Sequence, residues 1–543
     1  MAKTGIRPSR PLLACLVTMV VLGASGPYTP VSGARQQEQG CILPPPQTLI
    51  ANTLDSLEWN VLSERSFSNV HGAPYREVDV GISGQVEGCT SYGHPGMGDI
   101  WFTDVPDLRF PQFGQAPLTP GRAGSLQLVR GIGSFRAEDG SGMHVLIPKT
   151  RSGWNGKLFV VQHGGGQPYP RMGELVARQP GASFDPHMSR NLYAALMVDK
   201  GYAVAWVRGG GSAGRVDRVV LEDGNEGTRS LREHATRELA LVTFAQRFVA
   251  ERLGERPRLT YYYGFSGGGQ TGRLMHYMPQ ANLSDTDGRI VDGFLLDDPA
   301  SGRAIPVLFQ GEQDVLFADA GERSRFSPQI DVTHLLYEGN DNLAFMRENT
   351  RLLLAKGLGH KHRAYEVRGA SHFDRGYPVG RPESLDVGGL TEAIIDILDQ
   401  WVDRGVEPPP SRSDDSSLAA KPAVALPEVA CPLGVYYAFP TDGPAQFADT
   451  NTTFAPFDGA GLEPLNRRGE LVDMNENGVR DERDSVEAAW QRIGLLSAQE
   501  AFTPERYAAC VEKAAVGLAE ERLLPWRVVE HYRSEAARFG SGQ

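Results

Sequence analysis

A serine, a histidine and an acid fall where together they could attack a carbonyl group. Ser266 sits in Gly264-Phe265-Ser266-Gly267-Gly268, between the aromatic, strand-like run 259–263 and a helical pattern over 273–278. A strand that breaks through a tight turn into a helix pushes its central hydroxyl clear of the backbone, and the strained turn leaves no room for bulky neighbours. A serine hydroxyl becomes a nucleophile only when a base takes its proton, and that base must itself be oriented by an acid. His372 suits the base: it ends the small-residue turn Gly369-Ala370-Ser371-His372 after the strand-like run 363–367. Asp314 suits the acid, ending Gly311-Glu312-Gln313-Asp314 after the apolar run 305–309. Glu312, Asp319, Asp297 and Asp298 compete with it, and position favours Asp314. His334, His360 and His362 read as structural or surface residues.

Attack on a carbonyl also needs donors for the oxygen that becomes negative. Gln162-His163-Gly164-Gly165-Gly166 follows the strand-like run 157–162, and its glycines allow close approach of backbone N–H groups. The expected donors are Gly165, Gly166 and the N–H of Gly267 at the start of the helix after the serine. The competing reading is a plain strand-end loop.

A second chemistry is written near the C-terminus. Asp473, Asn475, Asn477, Val479, Asp481 and Asp484 occupy positions 1, 3, 5, 7, 9 and 12 of an EF-hand-type loop, with Gly478 at the turn. Calcium here would be structural. The twelfth ligand is Asp rather than Glu, and no helix precedes the loop, so an Asx-rich turn capping the next helix without metal is the alternative. No cofactor is expected for catalysis.

These residues must be positioned by a layered framework. Strand-like runs at 126–135, 143–148, 157–162, 202–207, 259–263, 291–296, 305–309 and 363–367 alternate with helical patterns at 187–200, 232–253 and 391–403. Such alternation predicts an α/β fold with a mostly parallel sheet flanked by helices. Between 296 and 305 there is no room for a crossover helix, so one run is not a sheet strand or the connection is abbreviated. A cover for the site must then come from 167–190, 208–230, 318–345 or the terminal units.

The order Ser…Asp…His and the motifs His-Gly-Gly-Gly, Gly-Phe-Ser-Gly-Gly, Gly-Glu-Gln-Asp and Gly-Ala-Ser-His resemble the α/β-hydrolase family over roughly residues 126–405. Within it the chain is similar to the secreted bacterial "alpha/beta hydrolase domain" group, to which phthalyl-amidase-like enzymes are similar. The resemblance implies a serine hydrolase acting on a small-molecule carboxylic ester through an acyl-enzyme. An amidase is the runner-up, and a non-catalytic binding protein on the same scaffold is the reading from another class.

Composition is consistent with this. The chain has 543 residues, 41% hydrophobic and 22% charged, with a formal net charge of −12. That excess of acid argues against nucleic acid as a partner. Lys3, Arg7 and Arg10 precede an apolar run from Leu12 to Leu22, and Ser32-Gly33-Ala34 offers a cleavage site, so residues 1–34 read as a signal peptide for secretion or the periplasm. No transmembrane segment is expected after its removal. Four cysteines remain, and proximity favours Cys41–Cys89 and Cys431–Cys510 as disulfides. The expected divisions are a loop-rich, partly β N-terminal extension (35–125), the hydrolase domain (126–406), a Pro/Ser-rich linker (407–428) and a small α+β C-terminal unit (429–543) carrying the calcium loop. Asn282 and Asn451 head glycosylation sequons.

Overall fold

The computed structural model describes residues 44–69, 71–91, 128–136, 142–163, 193–207, 216–221, 226–227, 231–276, 282, 288–299, 325–335, 340–355, 357–372, 384–437, 453–457 and 485–541. The strands of its main sheet are, in chain order, β1 (Glu58–Ser68), β2 (Pro74–Ser91), β3 (Leu128–Arg136), β4 (Met143–Pro148), β5 (Lys157–His163), β6 (Ala203–Val207), β7 (Val216–Leu221), β8 (Glu226–Gly227), β9 (Leu259–Phe265), β10 (Gly293–Asp297), β11 (Gln329–His334) and β12 (His362–Val367). Their spatial order is β12-β11-β10-β9-β5-β6-β4-β2-β3-β7-β8, with β1 paired to β2. The strands from β12 to β6 are mutually parallel, and β4 reverses the direction.

Parallel strands covered on both faces read as continuous apolar runs, and β9 shows how far this can be pushed. Tyr261, Tyr262 and Tyr263 are all fully buried. Burying three phenols is tolerable only because each hydroxyl has a partner. Tyr261 donates to Asp399 (2.6 Å), Tyr262 reaches Gln162 and Gly268, and Tyr263 donates to Asp297 (2.6 Å). Alternate tyrosines feed opposite faces, as the pleat requires. Tyr262 joins the layer under α1 (Pro46–Asp55) and α3 (Leu231–Leu253), with α2 (Tyr193–Asp199) on the other face. Tyr261 and Tyr263 also face α6 (Gly388–Arg404). That layer continues into α9 (Pro504–Glu520) and α10 (Trp526–Ser541) through Val511, Leu524 and Val528. The remaining helices are α4 (Gly267–His276), α5 (Asn340–Ala355), α7 (Pro427–Ala430) and α8 (Val486–Arg492).

Four expectations change. First, the strand after β10 in the sheet is β11, so the chain has the whole stretch 298–328 for its crossover; the run 305–309 lies outside the described residues. Strand β11 escapes an apolar-run search because Gln329, Asp331, Thr333 and His334 are polar yet buried. Asp331 there accepts from Arg273 of α4 (3.0 Å) and from Gln329 (2.6 Å), which offsets its desolvation. Within 318–345, the stretch 329–334 is strand and 340–345 is helix, so those parts of it are not cover.

Second, the sheet starts well before residue 126: β2 pairs with β1, β3 and β4. Third, residues 407–428 are no free tether. Glu366 and Arg368 of the outer edge donate to Arg412 and Val424 carbonyls (both 2.9 Å), while Arg412 and Val424 donate back to Ala364 and Glu366. An outermost strand has backbone groups that need partners, and this stretch supplies them. Composition alone cannot reveal such docking. Fourth, Asn282 is buried and its side chain accepts from Val291 N–H (3.0 Å), so it is not a surface glycosylation site.

Candidate active site

The carboxyl ends of β5, β9, β10, β11 and β12 lie side by side, and every side chain of the site hangs from that edge. The strand order turns at β5, which has β6 on one side and β9 on the other, and such a switch point opens a crevice between neighbouring loops. Register places Phe265 beside His163 and beside Asp297, and His334 beside Val367.

Ser266 follows β9 at once with φ of +56°, a left-handed conformation costly for a residue with a Cβ. The turn survives because its neighbours are glycines packed without slack. A Cβ on Gly264 would fall well inside contact distance of the Gly268 carbonyl, and one on Gly268 would collide with the Gln162 carbonyl. The N–H of Ser266 donates to Asp297 O (3.1 Å), locking the turn to β10. Gly267 opens α4, so the helix's positive end begins beside the hydroxyl.

His372 lies in the turn after β12, stacked on Phe265 with ring centroids 4.7 Å apart. Its Nε2 is 3.0 Å from Ser266 Oγ, and its Nδ1 is 2.6 Å from Asp298 Oδ2. A carboxylate can only accept, so Nδ1 carries the hydrogen and Nε2 of the neutral ring is free to take the serine proton.

The carboxylate on the imidazole is therefore Asp298, one of the competitors in the sequence, and not Asp314, which lies outside the described residues. Asp298 follows β10 with φ of +44° and precedes Pro299. Its N–H donates to Val332 O (2.8 Å) and its Oδ1 accepts from the N–H of His334 (3.0 Å). It is completely buried. Burial alone would raise its pKa, but the His334 and His372 imidazoles, with these hydrogen bonds, hold it below the ordinary carboxylate range. The signal for it was present: Asp297-Asp298-Pro299 ends an apolar strand, directly beside the elbow.

His334, read from the sequence as structural, is part of this constellation. Its Nδ1 donates to Ser371 O (2.7 Å), and its Nε2 lies 3.4 Å from Asp297 Oδ1. The glycines proposed as oxyanion donors, Gly165 and Gly166, lie outside the described residues, as do the candidate calcium ligands Asp473, Asn475, Asn477, Val479, Asp481 and Asp484. No group of metal-ligating side chains occurs among the described residues. Cys431, at the end of α7, is bonded to Cys510 of α9. Cys89 lies on β2; Cys41 and residues 1–34 lie outside the described residues. No helix among the described residues is long and apolar enough to cross a membrane.

A mixed sheet in this order, parallel from β12 to β6 and reversed at β4, with helices on both faces and a Gly-x-Ser-x-Gly turn at the carboxyl edge, defines the α/β-hydrolase fold. No family profile matches the chain, and no curated protein matches it. Among solved structures the chain is similar to esterase B of Lactobacillus rhamnosis (14% identity, 43% of this chain and 72% of that one, TM-score 0.27). It is also similar to esterase PE8 (13%, 47% and 97%, TM-score 0.27). A third is the rice cell wall degrading esterase LipA of Xanthomonas oryzae (10%, 58% and 92%, TM-score 0.28).

Proposed function

We propose that the protein is a serine hydrolase that cleaves a carboxylic ester through an acyl-enzyme, with Ser266 as nucleophile, His372 as general base and acid, and Asp298 as the acid that orients it. The observation that carries this reading is the continuous chain Ser266 Oγ–His372 Nε2 (3.0 Å) and His372 Nδ1–Asp298 Oδ2 (2.6 Å). In the first half-reaction Oγ bonds to the substrate carbonyl carbon as its proton passes to Nε2. Charge then builds on the carbonyl oxygen, and Gly267 N–H at the head of α4 is the described donor best placed to meet it. Collapse breaks the ester bond, and Nε2–H protonates the departing alkoxide. Water, deprotonated by the same nitrogen, releases the acid and restores Ser266.

Asp298 contributes in two ways. It keeps hydrogen on Nδ1, and its buried negative charge offsets the imidazolium that exists only along the reaction path. The His334 N–H donating to its Oδ1, with its own N–H tied to the Val332 carbonyl, makes that charge available without reorganisation.

The test is labelling of folded protein with a fluorophosphonate, with turnover of p-nitrophenyl esters of graded chain length and of matched anilides. Labelling and ester turnover are expected, and both should vanish in Ser266→Ala. Turnover retained in that variant removes Ser266 from the mechanism. Absence of both in the wild-type chain favours a binding protein on this scaffold. Faster anilide than ester cleavage would make it an amidase.

A further inference from the structure

We infer that His334 is a positioning residue of the same machinery, the element that holds both the acid and the turn carrying the base. The inference rests on the hydrolase reading above and extends it to a residue that touches none of the reacting atoms.

His334 ends β11, between the strand that delivers Asp298 and the strand that delivers His372. Three contacts leave it in three directions. Its backbone N–H donates to Asp298 Oδ1 (3.0 Å), the oxygen that His372 does not use. Its ring Nδ1 donates to the carbonyl of Ser371 (2.7 Å), the residue directly before His372. Its Nε2 faces Asp297 Oδ1 at 3.4 Å, while Asp297 Oδ2 accepts from Tyr263 (2.6 Å). The ring, Asp297 and Asp298 are all buried, so these contacts act in a poorly screened environment.

The roles differ by atom. The backbone contact to Asp298 survives any substitution except proline. The ring contact to Ser371 does not, and it decides where the peptide before His372 lies. A misplacement of about 1 Å at a reacting group can cost on the order of 10²-fold in rate. The ring also stands between two adjacent buried carboxylates. Nε2 is 3.4 Å from Asp297 Oδ1 and Nδ1 is 3.8 Å from Asp298 Oδ2, so a change of ring alters the packing against both. Among the described residues, the charged and titratable groups around it are Asp297 at the end of β10, Asp298 just after it and His372 in the turn after β12, with Tyr263 of β9 behind Asp297.

A purely structural histidine and a positioning histidine are separated by comparing amides of two lengths. Asn at this position sets an N–H close to where Nδ1 stands and can still donate to Ser371 O; Gln reaches toward Nε2 instead. His334→Asn, His334→Gln and His334→Leu are compared for p-nitrophenyl ester kinetics, for the rate of fluorophosphonate labelling and for Tm. Expected is a kcat loss of about 10- to 100-fold in the Leu and Gln variants with KM within twofold, matched by slower labelling, and a kcat within about fivefold of wild type for Asn. A Leu variant with unchanged kcat overturns the inference. So does a series in which Asn and Gln lose activity equally, or in which losses follow Tm alone. If the Leu variant does not fold, the Asn and Gln pair decides. Failure of the hydrolase reading is distinguishable, because it appears as retained turnover in Ser266→Ala or as no turnover in the wild type.

Discussion

Replacing Asp298 by Asn is the sharpest perturbation of this site. The substitution keeps the shape of a completely buried side chain and removes only its charge. Two hydrogen bonds converge on the carboxylate, from His372 Nδ1 (2.6 Å) and from the N–H of His334 (3.0 Å). The two donors address different oxygens of the carboxylate, and an amide keeps only one of them, so it cannot accept from both. With the oxygen kept on the backbone N–H, the amide nitrogen turns a donor toward Nδ1. The ring must then present a lone pair at Nδ1 and hydrogen at Nε2, and Nε2 can no longer take the serine proton. The same substitution removes the counter-charge for the imidazolium. Together these should lower kcat about 10⁴-fold, the scale of an acid-to-amide change in such a triad, or roughly 5 kcal/mol of transition-state stabilisation. The assay is steady-state hydrolysis of a p-nitrophenyl ester, with fluorophosphonate labelling as a second readout. Asp314→Asn is the control and should leave kcat within about threefold. If Asp298→Asn keeps more than a tenth of kcat while Asp314→Asn loses three decades, the acid has been misassigned.

Other expectations concern the framework. His144 of β4 lies with Nδ1 2.7 Å from Asp79 and Nε2 2.9 Å from Glu77. Burial alone would lower its pKa, but the two carboxylates raise it above the ordinary histidine value. Its contribution to stability is therefore present in full below about pH 6.5 and fades as pH rises through the raised value. His144→Gln should destabilise by about 3 kcal/mol at pH 6, and by less above the raised value, in denaturant melts. Glu238 of α3 is pushed up to about 7 by burial, against the pull of Arg237 and Gln162. Wild-type stability should fall as pH rises from about 4.3 to 7, and Glu238→Gln should recover on the order of 3–4 kcal/mol at pH 8 but nothing at pH 4. A pH-independent difference would refute that account. Gly268→Ala should cost about 1–3 kcal/mol by driving a methyl into the Gln162 carbonyl, and activity should fall with it. Gly517→Ala, in α9 with nothing near the new methyl, should instead gain about 0.5–1 kcal/mol in thermal melts.

What the sequence made legible was whatever depended on local pattern. The apolar run of β9 and the glycines around Ser266 mark a strand, a strained turn and a helix, because each must obey short-range sterics. The turn 369–372 after a strand-like run marks where His372 would emerge. What stayed hidden depended on partners far along the chain. Strand β11 is polar at four of its six positions, and its burial makes sense only once Arg273 of α4 meets Asp331. Without β11, position after the run 305–309 favours Asp314 over its competitor Asp298, because nothing local shows which strand lies next to β10. Residues 407–428 have the prolines and serines of a tether. Their docking depends on the exposed backbone of β12, which no composition can show.

That docked strip has a consequence for how the protein could be divided or recombined. A chain stopped at Val406 would bare the outer margin of β12 and strip α6 of the apolar cover supplied by Leu524 and Val528. Naked strand margins recruit other chains, so such a fragment should clump rather than work at reduced efficiency. The sheet domain is thus no portable cassette; its tail is part of its architecture, and the two must be inherited together.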